Sequence, residues 1–224
     1  MELKKFTSRQ LQTESLVKEI SKIIINTIKQ QNRITVALSG GKTPIPFLEK
    51  LSEQNLDFNK VTFTLVDDRI ISPTNQDSNE NLLYTHLLIN NAKNASFISL
   101  YGNDNLNNKE RILKANQINN IDLAILGMGD DGHTASIFPD CDELNNALDL
   151  ANPNNFIITH PKTAKYARIS MTLKTILKIP NLFLNINGKN KLLILEQAAL
   201  GDNHNLPISY VISKVPNLQT FYAE

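Results

Sequence analysis

The sequence has little of several things that mark large classes of protein. It holds one cysteine, Cys141. That excludes an intramolecular disulfide and a cysteine-based metal cluster, and it fits a reducing compartment. Neither sign of charge is in excess: 23 basic side chains face 22 acidic ones, for a formal net charge of +1. No global field exists to draw in a polyanion, and no Lys/Arg run builds a local patch, so no nucleic-acid partner is expected. Arginine is scarce beside lysine, which makes each Arg more informative. No apolar stretch approaches the length that spans a bilayer. The N-terminal segment MELKKFTSRQLQTES is polar and has no apolar signal core. The expectation is a soluble, cytoplasmic chain with no membrane partner.

What is present is ordinary globular material: 224 residues, 41% hydrophobic and 20% charged. That suffices for one α/β domain over residues 1–224 with a well-buried core. Residues 8–30 place Leu11, Leu16, Val17, Ile20, Ile23, Ile24 and Ile28 at helical spacing. Then follow an apolar run, Ile34–Leu38, a glycine turn, and a helix opened by Pro44. The unit recurs in form. Strands are predicted at Val61–Val66, Phe97–Leu100, Ile121–Leu126, Phe156–Thr159, Ile169–Leu173, Leu182–Ile186 and Ile208–Ile212. Helices are predicted around Asn79–Leu88, Lys109–Ile118 and Lys189–Leu200. The polar, Asn-rich stretch 140–155 is expected to form a surface excursion. Alternation of this kind, with continuously apolar strands, predicts a Rossmann-like α/β fold: a mostly parallel sheet covered by helices on both faces.

In such sheets ligands bind beyond the carboxyl ends of the strands, and three polar clusters follow that rule. The first is SGGKTP, where Gly40 and Gly41 let backbone approach a ligand and the next helix presents free N–H groups, as a phosphate requires. A plain tight turn explains the same residues. A nucleotide-binding P-loop does not, because position 36 is Val where that pattern needs glycine. The second cluster, VDDRIISPTNQDSN, offers Arg69 as a bidentate phosphate donor, with Asp68 and Asn79 for hydroxyls. A solvated loop that caps the following helix is the alternative.

The third, GMGDDGHTASIFP, brings three glycines, Gly129 among them, and His133 to the end of a buried strand. An imidazole there can move a proton near neutral pH, and Asp131 stands two residues away to orient it. The same pair can ligate a metal, but a catalytic zinc needs about three protein ligands and no HExxH or paired-His spacing is present. No metal and no cofactor is expected. Arg168 and Lys191 each stand beside an apolar strand, either completing a phosphate site or lying on the surface. His86, His160 and His204 carry no local pattern.

These clusters, in this order, resemble the 6-phosphogluconolactonase family. The matching residues are LSGGKTP at 38–44, VDDR at 66–69, DSN at 77–79, GMGDDGHTASIFP at 127–139, ARISMTL at 167–173 and GKNK at 188–191. The resemblance implies a fold shared with glucosamine-6-phosphate deaminases and hydrolysis of 6-phosphoglucono-δ-lactone in the pentose phosphate pathway. It implies that Ser39, Gly40, Gly41 and Thr43 line the phosphate end, with Arg69, Arg168 and Lys191 as cations. It implies that Asp68 and Asn79 face the sugar and that His133 transfers the proton. The sequence departs from the family at Asp68, where many members have Glu, and at Ile70, where an aromatic is common. The deaminases carry a Glu five residues after the motif His; position 138 here is Phe, which transfers no proton. A non-catalytic sugar-phosphate sensor is the rival from another class, and retention of His133 argues against it. The partner expected is a small phosphorylated sugar lactone, and the chain is expected to act as a monomer.

Overall fold

The computed structural model describes all 224 residues, Met1–Glu224. In chain order the elements are β1 (Glu2–Phe6), α1 (Arg9–Gln31), β2 (Ile34–Leu38), α2 (Ile45–Ser52), β3 (Val61–Leu65), β4 (Asp67–Arg69), α3 (Asn79–His86) and β5 (Ser96–Phe97). They continue with α4 (Asn108–Ala115), β6 (Leu123–Leu126), α5 (Leu144–Leu148), β7 (Phe156–Thr159), β8 (Arg168–Met171), α6 (Leu173–Leu177), β9 (Asn181–Asn187), α7 (Lys189–Ala198), α8 (Ile208–Lys214) and β10 (Gln219–Ala223).

The longest helix, α1, begins where Ser8 Oγ accepts from the Leu11 N–H and ends at Asn32, whose φ of 66° breaks the right-handed run. Its inner stripe buries Leu16, Val17, Ile20 and Ile24, each worth about 1.5–3 kcal/mol relative to exposure. One polar residue, Gln12, is buried in the same stripe.

Seven strands form one parallel sheet in the order β1-β10-β9-β6-β2-β3-β5. Leu182–Ile186 are buried without interruption. Side chains on a strand alternate between faces, so continuous burial requires cover on both. On one part of the sheet α1 packs against β1, β2, β10 and its neighbour α2; elsewhere α7 packs on β9 and against α8, which meets α6. A contiguous cluster of 55 buried apolar residues joins these layers, so helices and sheet share one core.

Four expectations are corrected. Ile208–Ile212 is not a strand but the start of α8: Ile208, Val211 and Ile212 are buried at helical spacing behind Pro207. The Asp67–Arg69 segment, expected as a polar cluster at the end of the strand at 61–66, is a strand of its own, β4. It turns out of the main sheet and pairs antiparallel with β8, Asp68 opposite Ile169, in a small sheet ordered β4-β8-β7. Residues 140–155 contain α5 and bury Cys141, Leu144, Ala147, Leu148 and Asn152. The strand expected at Phe97–Leu100 is the two-residue β5. Two further strands, β1 and β10, had no counterpart in the sequence reading.

The strand order reverses at β2. From β2 the chain moves outward to β3 and β5, whereas from β6, on the other side of β2, it moves to β9 and β10. Crossovers that diverge leave a crevice at the carboxyl ends of the two strands between them, and ligands of open α/β sheets bind there.

Candidate active site

The turn after β2 and the loop after β6 meet at this crevice. Ser39 joins them: its N–H and its Oγ both donate to Ile125 O (3.1 and 2.8 Å), and its Oγ accepts from the Gly127 N–H at 3.0 Å. Around them lies a cleft of about 240 Å³. Its lining includes Ser39, Gly40, Gly41, Thr43, Arg69, Asn79, Gly129, His133, Arg168 and Lys191, all expected from the sequence. Gly40 is tightly covered: a Cβ there would lie 1.8 Å from Asn79 Oδ1.

His133 is held from three sides. Nδ1 is 2.6 Å from Asp131 Oδ1, and the same carboxylate oxygen accepts the His133 N–H at 3.1 Å. The ring stacks on Phe138, with centroids 4.0 Å apart and planes 23° from parallel. The His133 carbonyl accepts from the Gly129 N–H at 2.9 Å. That approach requires glycine, since a Cβ at Gly129 would lie 2.2 Å from His133 Nδ1 and 2.4 Å from Asp131 Oδ1. Nε2 makes no hydrogen bond within the protein, and His133 lines the cleft. Partial burial pushes the Asp131 carboxyl up, but the hydrogen bonds and charge of His133 outweigh it and hold the group below its ordinary value. A carboxylate that stays ionised fixes the ring with Nδ1 as the donor, leaving the lone pair on Nε2.

Four cations line the cleft, Lys42, Arg69, Arg168 and Lys191, beside one carboxylate, Asp67. Arg69 Nη1 donates to Asp77 O and Lys191 Nζ to Met128 O, which spends donors but neutralises no charge. Arg168 stands over the Phe138 ring at 5.3 Å, with Nη1 4.0 Å from Asp67 Oδ2. Burial pushes the Arg168 guanidinium down, and the nearby Arg69 charge adds to this, against the pull of Asp67. The Nε atoms of both arginines are buried without a partner. Excess positive charge in a partly buried cleft suits an anionic ligand.

Asp68 does not line the cleft. Only 2% exposed, it accepts from the N–H groups of Arg69, Asn79 and Glu80 (2.7, 2.7 and 3.0 Å) and from Ser78 Oγ at 3.1 Å. It thus caps the N-terminus of α3. Burial pushes its carboxyl up to about 6, against these N–H donors and with the help of the Asp67 charge. The neighbouring Asp67 faces the cleft instead. Its Oδ2 accepts from Ser136 Oγ at 2.5 Å, and its carbonyl oxygen accepts from Asn79 Nδ2 at 2.9 Å. Strand alternation sends Asp67 and Asp68 to opposite sides, but which one faces the cleft follows from the turn into β4. The sequence reading also missed Asn185, which lines the cleft from β9. A lone Asn inside the apolar run LFLNI was the available signal. No three His, Cys, Asp or Glu side chains come together as a metal-binding group, and no helix is long and apolar enough to cross a membrane.

The model of the family described as glucosamine-6-phosphate isomerases/6-phosphogluconolactonase matches residues 7–220. The 6-phosphogluconolactonase of Helicobacter pylori strain J99 is 38% identical over 216 residues, covering 94% of this chain and 93% of its own. The crystal structure of a 6-phosphogluconolactonase from Shewanella baltica OS155 superposes with a TM-score of 0.92 at 30% identity, covering 100% of this chain and 97% of the other. A monomeric glucosamine-6-phosphate deaminase superposes with a TM-score of 0.82 at 16% identity, over 100% of this chain and 98% of the other, which is a likeness of fold.

Proposed function

We propose that this chain, which belongs to the glucosamine-6-phosphate isomerase/6-phosphogluconolactonase family, hydrolyses 6-phospho-D-glucono-1,5-lactone to 6-phospho-D-gluconate, the lactone-opening step of the oxidative pentose phosphate pathway. Its relatives at 38% and 30% identity, named as 6-phosphogluconolactonases, support the reaction. The observation that carries the proposal is the ring of His133: tied through Nδ1 to Asp131, stacked on Phe138, and with Nε2 unspent in a cleft rich in cations.

In this reading the phosphate docks against the Ser39–Pro44 turn and the cleft cations, which fixes the lactone carbonyl near His133. Nε2 takes a proton from water as the water oxygen attacks the carbonyl carbon. A backbone N–H or a cation of the cleft meets the oxyanion of the tetrahedral intermediate. The intermediate collapses with cleavage of the bond to the ring oxygen, which receives the proton from the imidazolium. The products are a free hydroxyl and a carboxylic acid, which gives its proton to solvent and leaves as the carboxylate, and Asp131 holds the ring throughout. A general base contributes about 10²–10⁴-fold and positioning adds to it. Neither a resident metal nor a cofactor takes part in these steps. Gly129 admits the dyad, and Asn79 and Asp67 meet sugar hydroxyls.

Phe138 separates this reading from a deaminase. It occupies the position of the acid/base that the deaminases use in ring opening, and its ring has no proton to give. The proposal extends to residues 1–224 acting as one α/β domain, a monomer in the cytoplasm.

The test is hydrolysis of freshly generated 6-phosphogluconolactone, coupled to 6-phosphogluconate dehydrogenase, with and without chelator, after subtraction of the spontaneous rate. Acceleration that survives the chelator is expected. No acceleration by folded protein, or ammonia release from glucosamine 6-phosphate, would overturn the reading.

A further inference from the structure

Asn185 and Gln12 are an anomaly in the core. Each is a neutral polar side chain in an otherwise apolar layer, 8% and 2% exposed respectively. The neighbours of Asn185 on β9, Leu184 and Ile186, are fully buried and apolar. A leucine at 185 would pack there without the desolvation cost of an amide. The two amides meet: Gln12 Nε2 lies 2.8 Å from Asn185 Oδ1, 3.0 Å from Ile186 O and 2.9 Å from Phe221 O.

This contact fixes which way both amides point. Ile186 O and Phe221 O accept only, so Gln12 must turn its NH₂ group toward them. Asn185 must then offer oxygen to the same nitrogen, and its own NH₂ group faces the other way. Asn185 Nδ2 has no acceptor in the protein, yet it is not among the polar atoms sealed from solvent. Asn185 opens on the cleft.

Its position within the cleft follows from the sheet register. The last β6–β9 pair is Leu126 with Leu184, so Asn185 stands level with Gly127, whose N–H is bound to Ser39 Oγ. Its oxygen faces α1, and α1 packs beside α2, whose cap residue Pro44 and first-turn residue Phe47 line the cleft. Asn185 and the Ser39–Pro44 turn therefore line one and the same cleft.

We propose that Asn185 is a ligand-binding residue of the cleft, whose amide N–H, locked by Gln12, donates to an oxygen of the phosphorylated end of the substrate. The inference rests on the lactonase reading for the identity of that substrate, but the recognition of phosphate is testable without turnover. Gln12 is a positioning residue: it touches no ligand and acts by denying Asn185 the flipped amide.

The experiment uses the full chain, titrated with inorganic phosphate by calorimetry and assayed with the phosphorylated lactone. In Asn185→Asp the inward oxygen can stay on Gln12 while the outward group becomes an acceptor that repels the anion. Loss of one charge-assisted hydrogen bond corresponds to about ten- to a hundredfold in affinity. Phosphate affinity should fall, and KM should rise, by at least about tenfold, with kcat changed by less than about threefold. If Asn185→Asp does not fold, Asn185→Ser carries the same comparison, with the same direction of change. Wild-type phosphate affinity and KM in a folded variant, together with a lowered Tm, would overturn the inference and leave Asn185 as a partner of Gln12 only. A wild-type chain that binds phosphate but opens no lactone would overturn the functional reading instead, and the phosphate titration would still decide Asn185.

Discussion

Gly40→Ala is the substitution whose consequence can be worked furthest from the structure. Gly40 does not have a left-handed φ, so alanine suits its backbone, and the whole effect lies in space. The new methyl carbon would sit 1.8 Å from Asn79 Oδ1, 2.1 Å from Cγ and 2.7 Å from Nδ2. Asn79 has little freedom to retreat. It is 3% exposed, its N–H is bound to Asp68 Oδ1 at 2.7 Å, and its Nδ2 donates to Asp67 O at 2.9 Å. Moving the side chain strips a buried carbonyl of its donor, at about 1–3 kcal/mol. Crowding the displaced amide into packed surroundings costs about 1–3 kcal/mol more. The stiffer unfolded chain returns about 0.4–1 kcal/mol. The expected net loss is about 1–5.5 kcal/mol, against a typical domain stability of about 5–15 kcal/mol. Asn79→Ala removes the three atoms that collide, so the double variant should be no less stable than Asn79→Ala alone. Urea denaturation followed by far-ultraviolet circular dichroism of the four proteins gives the coupling, expected at about 1 kcal/mol or more. Losses that add within about 0.5 kcal/mol would refute the contact.

Replacement of His133 by Asn should leave the fold intact and lower kcat by about 10²–10⁴-fold, since the side chain keeps polarity and loses the base; undiminished turnover would remove His133 from the chemistry. Asp68 sets a pH dependence. Its carboxyl is pushed up to about 6 in the folded chain, so between about pH 4 and pH 6 the unfolded chain gives up this proton first. The folded state then binds more protons than the unfolded one, and stability falls as pH rises through that window, by on the order of 2–3 kcal/mol. Asp68→Asn should flatten most of that fall, read as urea midpoints at several pH values, and an unchanged slope would show that another group carries it.

The site was more legible in the sequence than the fold that builds it. Turns rich in glycine at strand ends announce themselves locally, and Ser39–Thr43 and Gly127–His133 do meet across β2 and β6. The strand order that brings them together is a long-range property. Strand β1, with Lys4 half-buried and Lys5 exposed, becomes a strand by pairing with β10, and β10 by pairing with both β1 and β9, which no local pattern carries. Residues 208–212 read as a strand because Ile, Val and Tyr favour one; Pro207 at the head of the run was the signal of a helix. Asp67 and Asp68 are adjacent and alike in sequence, and only the turn into β4 decides which lines the cleft and which caps α3. Asn185 left only the trace of one polar residue in an apolar run, because its meaning lies in a partner on α1.

The pairing of β1 with β10 also orders events in the making of the protein. Glu2–Phe6 align with Gln219–Ala223, and Gln12, on the helix that follows β1, closes on the carbonyl oxygen of Phe221. A ribosome adds about 5–20 residues per second, so the first strand emerges on the order of 10–40 s before its partner exists. During that interval α1 has a buried amide with no place to put it and an apolar stripe with no completed sheet beneath it. The third acceptor of the Gln12 amide, which helps to hold its contact with Asn185, arrives only when β10 docks. No residue of β10 lines the cleft, so its docking completes the support behind Asn185 and not the lining itself. β10 thus sets the final brace behind a wall whose own residues are already in the chain.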